Sequence, residues 1–216
     1  MKKNEKFVIT VNRELGSGGR TIARKLAEKL GVALYDKVLI KSLEEKYNLT
    51  TEEIEKLKGS NHPWWEDFKR VASIGGSWIL ERSPYHNPED VKSLFDQPTT
   101  DDFYKAETEI LQGIAENESC VITGRSAFDV FRAHPNHLSI FIQASLPYRV
   151  NRVMRKQNVS RDTARKIIEK VDKMRENYVR KYTGTSRYDT RNYDLVVYAD
   201  CLSEDEIVDI IMKYIK

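Results

Sequence analysis

At 216 residues the chain is long enough for one ordinary domain that buries a core without disulfide or metal staples. Charged residues make up 32% of it, yet 36 Lys and Arg stand against 33 Asp and Glu, a net charge of +3. That balance argues against a dedicated nucleic-acid coat and leaves only local basic clusters to consider. Cys120 and Cys201 lie far apart beside apolar runs and read as reduced, buried side chains of a cytoplasmic protein, too few for a metal site. The N-terminal lysines precede an apolar run too short for a signal-peptide core, and no run approaches membrane-spanning length.

In chain order, an apolar β-rich run at 7–11 leads into a turn containing Gly16, Ser17, Gly18 and Gly19. An amphipathic helix follows at 21–30 and is closed by Gly31. A three-residue strand at 33–35 ends at Asp36. The stretch 37–117 is richer in helix than one crossover needs. It holds a capping-type start at Thr50, Thr51, Glu52 and Glu53, a breaker at 59–63, a helical run at 64–81, a polar loop at 83–88 and a helix at about 100–117. Trp64, Trp65 and Trp78 fall in this stretch and read as core.

Strands are predicted again at 120–123, 138–142 and 195–198. Between the last two, 147–181 is helical apart from a break at 158–160, and no internal repeat is visible. Most of the strands are continuous apolar runs without alternation, as in strands covered on both faces. The class is α/β: a parallel sheet joined by right-handed helical crossovers.

Strand, glycine turn and helix form the arrangement in which backbone N–H groups and a helix N-terminus converge on a phosphate. The turn departs from the phosphate-loop pattern G-x-x-x-x-G-K-[ST], because no lysine follows its glycines. The segment ITVNRELGSGGRT nonetheless resembles the P-loop nucleoside monophosphate kinases, the cytidylate kinase-like family in particular. That family reads I-T-I-[DS]-G-x-x-G-[SA]-G-K-[GS]-T at this place. An ungapped comparison puts Arg13 at the first glycine, Gly19 at the lysine, Arg20 at the following small residue and Thr21 at the threonine. Sliding by one residue instead aligns Gly19, Arg20 and Thr21 with G-K-T and puts Glu14 at the first glycine; agreement further along favours the former. Both registers leave Arg20 beside the phosphates, so Arg20, or Arg13, is expected to supply the missing charge, against the plainer alternative of an exposed first-turn arginine. The helix N-terminus cannot substitute. It offers about 0.3–1 kcal/mol per charge, whereas losing one charge-stabilising donor costs about 3–4 kcal/mol.

The resemblance implies a P-loop kinase-type three-layer fold, with a five-stranded parallel sheet flanked by helices. A helical acceptor-side insertion (37–117) and a helical lid (158–192) complete a single domain, 1–216. It implies that Arg13, Gly16, Ser17, Gly18, Gly19, Arg20 and Thr21 hold ATP. Mg2+ would bridge the phosphates, with no dedicated protein metal ligands. Asp36 would begin the acceptor side, or simply cap the next helix. Arg125, after Gly124 at a strand end, would face the acceptor phosphate, with Ser126 replacing the family's usual aspartate. Asp129 reads as helix surface. In the lid, Asp172 and Arg175 match a D-x-x-R stretch, which implies that Arg175 closes over the transferring phosphoryl group and that Asp172 helps bind the substrate; Tyr193 and Asp194 precede the last strand. Arg165 and Arg180 read as solvated, and Arg187 and Arg191 receive no firm role. The expected activity is ATP-dependent phosphoryl transfer to a nucleoside monophosphate, cytidylate-like, or a similar small acceptor. The alternative is a nucleotide-binding regulatory protein with little turnover. Nucleotide substrates are the expected partners, without nucleic acid or membrane, and the sequence leaves monomer and homodimer open.

Overall fold

The apolar runs pair into a single parallel sheet in the computed structural model, which describes residues 1–2, 4–36 and 101–215. The strands are β1 (Val8–Arg13), β2 (Ala33–Tyr35), β3 (Cys120–Thr123), β4 (His137–Gln143) and β5 (Leu195–Tyr198). Their order across the sheet is β2-β3-β1-β4-β5, and every pairing is parallel. β1 is therefore central, with Val11 level with Thr123 on one side and Ile140 on the other. The carboxyl ends of β1, β3 and β4 thus share one edge, where ligands sit in open α/β sheets.

β1 extends two residues beyond the apolar run. Asn12 and Arg13 remain in register with Phe141 and Ile142 of β4, so sheet pairing overrides their polarity. β4 likewise gains His137 and Gln143, paired with Val8 and Tyr198.

Helices cover both faces. α1 (Gly19–Leu30) and the last helix, α6 (Glu204–Tyr214), pack Ile22, Leu26, Ile207 and Ile211 against Ile9, Val121 and Ile140. On the other face α2 (Asp101–Asn117) packs Ile110, Leu111 and Ile114 against Val8, Tyr35 and Ile122. A short α3 (Ala127–Val130) follows β3. α4 (Leu146–Gln157) and α5 (Arg161–Thr183) pack on each other through Val150, Val153, Ala164 and Ile168. They separate at Asn158, in the left-handed region, and Ser160 restarts the chain by accepting from the Thr163 N–H. α1 begins at Gly19, earlier than the periodicity indicates, and stops as expected at Gly31 (φ 68°). α6 opens with a full capping box between Ser203 and Glu206.

Within the stretch 37–117, residues 101–117 form α2. The capping start at 50–53, the breaker at 59–63, the helical run at 64–81 with Trp64, Trp65 and Trp78, and the loop at 83–88 lie outside the described residues. Cys120 is buried as expected. Cys201 is exposed, because the apolar run of β5 has already ended and the chain turns over the surface toward α6. Among the described residues no helix is long and apolar enough to cross a membrane.

Candidate active site

The turn after β1 is built by close approach. Gly16 (φ 86°) lies under α4, where a Cβ would stand 2.7 Å from the Arg149 carbonyl oxygen. Gly18 (φ 88°) caps α1 with no side-chain hydrogen bond, and no acid stands in the first helical turn. The amide groups there retain their donors and positive potential for an anion. Ser17 is buried, its hydroxyl donating to the Glu14 carbonyl at 3.0 Å. Glu14 ties the turn to the sheet: its Oε2 accepts from the Ala144 N–H at 3.0 Å.

The side chain of Arg13 crosses this turn. A Cβ on Gly19 would lie 2.5 Å from the Arg13 Cβ, and a Cβ on Gly124 would lie 2.6 Å from the Arg13 Nη1. Arg20 faces the end of β2, with its Nη2 donating to Asp36 Oδ2 at 2.6 Å. Two residues singled out separately in the sequence are thereby brought together across α1 and the end of β2.

At the end of β3 the backbone takes three successive left-handed conformations, Gly124, Arg125 (φ 58°) and Ser126 (φ 51°), a strain that favours a functional position. The Arg125 side chain is only 9% exposed and pairs through Nη2 with Glu107 Oε1 at 2.5 Å. Its guanidinium lies 5.9 Å from the Tyr178 ring centre. The Tyr178 hydroxyl donates to the other Glu107 oxygen at 3.0 Å. Burial, reinforced by Glu107, raises the pKa of that phenol and keeps it a neutral donor. Thr123 Oγ1, Arg125 Nε and Ser126 Oγ are buried without hydrogen-bond partners, donor capacity that a polar ligand would satisfy.

Asp172, from α5, ties that helix to the turn. Its Oδ1 accepts from the Leu15 N–H at 3.0 Å, and its Oδ2 pairs with Arg149 Nη1 at 2.6 Å. Arg175 and Arg187 approach Oδ1 at 3.5 and 3.4 Å. Both arginines also donate to the Arg13 carbonyl. Arg187 is fully buried and its Nε has no hydrogen-bond partner. Tyr193 holds its backbone, donating to the Arg187 carbonyl at 2.8 Å while accepting from Asn12 at 2.7 Å. Arg152 reaches Thr21 Oγ1 at 3.4 Å and pairs with Glu204.

Other residues stay outside the cluster. Arg191 pairs with Asp189 on the surface, Arg165 with Glu169, Arg180 with Glu176, and Asp129 with Arg132. Sequence reasoning missed Glu107, Arg149 and Arg152. The spacing of Arg149 and Arg152, three apart at the start of α4, was the available signal for one helix face. Among the described residues no group of three His, Cys, Asp or Glu side chains is arranged for a metal ion.

The sequence matches the cytidylate kinase-like family over residues 8–200. The chain belongs to that family. An uncharacterised protein from Eubacterium ventriosum ATCC 27560 is similar in structure, with TM-score 0.69 and 25% identity, over 97% of this chain and 98% of that one. Weaker likenesses include a shikimate kinase from Bacteroides thetaiotaomicron (TM-score 0.49, 16% identity, covering 96% and 97%). Another is a gluconokinase from Sinorhizobium meliloti 1021 (TM-score 0.48, 14% identity, covering 95% and 90%). No match was found among the curated proteins. As a member of the cytidylate kinase-like family, the chain falls in general terms among proteins of nucleotide-dependent phosphoryl transfer. The sheet order and the uncapped helix after β1 agree with that class.

Proposed function

We propose that this member of the cytidylate kinase-like family transfers the γ-phosphoryl group of ATP to a nucleoside monophosphate, cytidylate-like, or a similar small acceptor. The observation that carries the reading is the convergence of Arg149, Arg175 and Arg187 on the anion-ready turn between β1 and α1. The uncapped start of α1, with no acid in its first turn, suits the phosphates of a triphosphate.

Gly16, Ser17, Gly18, Gly19 and Thr21 bind the donor phosphates, with Arg13 supplying charge beside them and Arg20 held by Asp36 toward the acceptor. Asp36 and Arg125 orient the acceptor, and Asp172 positions Arg175 and its neighbours over the transferring group. An acceptor oxygen forms a bond to the γ-phosphorus as the bond to the ADP oxygen breaks, through a loose transition state whose charge spreads over the phosphoryl oxygens. Catalysis is positioning and electrostatic stabilisation, with no covalent enzyme intermediate. Magnesium, when bound with ATP, would neutralise phosphate charge and be held chiefly by the nucleotide's own oxygens, with few direct protein ligands. We take the chain as one domain acting in the cytoplasm on nucleotide substrates, without nucleic acid or membrane.

The alternative, a nucleotide-binding regulator with little turnover, draws support from the ion pairs that already engage Arg20 with Asp36 and Arg125 with Glu107. Coupled ADP release from MgATP, measured with each of the four common nucleoside monophosphates, separates the two. Release that depends on an added monophosphate supports the kinase. MgATP binding with no acceptor-dependent release from any of the four supports the regulator.

A further inference from the structure

Gly19 has no left-handed backbone to explain its identity, since it opens α1 in ordinary helical conformation. The constraint is steric. A Cβ there would lie 2.5 Å from the Arg13 Cβ, 3.1 Å from its Cγ and 3.3 Å from the Ile142 Cβ. The Arg13 Cβ cannot retreat, because it is fixed to a strand paired with Ile142 of β4, and the Arg13 carbonyl is gripped by Arg175 and Arg187. From that anchor the side chain passes over the first residue of α1 and brings Nη1 up to Gly124, where a Cβ would stand 2.6 Å away. Gly124 precedes Arg125 at the end of β3. The guanidinium therefore stands at the seam between the donor turn and the acceptor side. Arg20, the other cation near the missing lysine, is turned toward Asp36.

We propose that Arg13 is the catalytic cation replacing the phosphate-loop lysine, and that Arg13 and Gly19 form a reciprocal exchange. The position that carries glycine in the usual loop carries the cation here. The position that carries the cation is reduced to glycine because both side chains claim one volume. Arg13 stays protonated throughout and donates hydrogen bonds to oxygens of the transferring phosphoryl group; no proton leaves it. This assignment rests on the phosphoryl-transfer reading above and names the charge that drives it.

The test uses the full chain, MgATP and the four common nucleoside monophosphates. Arg13→Met should lower acceptor-dependent ADP release about a hundredfold or more, with thermal unfolding near that of wild type, and Arg13→Lys should retain more activity than Arg13→Met. Gly19→Lys alone should be severely impaired. The double variant Arg13→Gly with Gly19→Lys should exceed both of its single parents. Arg13→Met within about threefold of wild type overturns the assignment, and a folded double variant no better than its worse parent overturns the exchange. If the double variant does not fold, the comparison of Arg13→Met with Arg13→Lys decides. A wild-type chain that binds MgATP but turns over none of the four acceptors is tested by calorimetry with MgATP and MgADP. Arg13→Met should then lose roughly tenfold of its preference for the triphosphate, and an unchanged preference overturns the assignment while nucleotide binding stands. Failure of the wild type to bind MgATP at all sinks the phosphoryl-transfer reading itself.

Discussion

Replacing Asp172 with asparagine removes a charge while nearly preserving shape. The amide oxygen of Asp172→Asn still accepts the Leu15 N–H, which lies 3.0 Å from the carboxylate. What disappears is the counter-charge to Arg149 at 2.6 Å, and to Arg175 and Arg187 at 3.5 and 3.4 Å. Arg187 is 0% exposed and the Arg149 side chain only 11%, so neither guanidinium can be rehydrated in place. Removing one partner of a buried ion pair costs about 3–5 kcal/mol. Glu14, 3.6 Å from Arg149 Nε, compensates in part, which points to the lower end, about 3 kcal/mol. At about 2–4 °C per kcal/mol for a chain of this size, the thermal midpoint should fall by about 6–12 °C. Circular dichroism melts of the two proteins measure it. Adding MgATP or sulfate should raise the variant's midpoint more than that of wild type, because an anion takes over the lost neutralisation. A midpoint within about 2 °C of wild type, too small for any buried-charge loss, would refute the reasoning.

His137 gives a pH prediction. Its ring Nε2 lies 2.8 Å from Thr10 Oγ1, and burial pulls its pKa down from 6.5 to about 4. The unfolded chain therefore takes up a proton near pH 6.5 that the folded chain refuses until about pH 4. Stability should be intact above pH 6.5 and decline as pH falls to about 4, by about 3 kcal/mol at most. Urea midpoints of wild type and His137→Gln at the two ends of that window check it; parallel declines would count against it. The two positive-φ glycines of the turn should also differ. Gly18→Ala meets only ordinary contacts at 3.5 Å and should lose the backbone strain alone, about 1–2 kcal/mol. Gly16→Ala drives a Cβ into the Arg149 backbone at 2.7 Å and should displace α4, with a larger fall in midpoint and weaker MgATP binding. Equal losses in melting experiments would contradict this account.

Features written in neighbouring residues were legible before the fold was. The apolar runs mark all five strands, and Gly31 and the break at 158–160 mark helix ends. The glycine turn and Gly124–Arg125 stand at the carboxyl ends of β1 and β3, and Asp172 and Arg175 reach that edge from α5. The extension of β1 to Arg13 was not legible, because Asn12 and Arg13 end the apolar run while β4 continues to pair with them. Glu107 and Arg149 were hidden, and Arg187 was left without a role, for a different reason. Each acquires meaning through a distant partner: Glu107 through Arg125, Arg149 through Asp172, Arg187 through the Arg13 carbonyl. A backbone acceptor leaves no mark on composition, so Arg187 resembled its charged neighbours although it is the most deeply enclosed of them.

The central place of β1 bears on how the chain is born. Val8 finds its neighbours in Cys120 and His137, more than a hundred residues downstream. The anchors of the turn that follows, the Ala144 amide and the Asp172 carboxylate, emerge later still. At roughly 5–20 residues per second, the apolar start of a nascent chain waits on the order of ten seconds for the strands that will flank it. Throughout that interval Val8, Ile9 and Val11, fully enclosed in the finished fold, lack the strands that cover them.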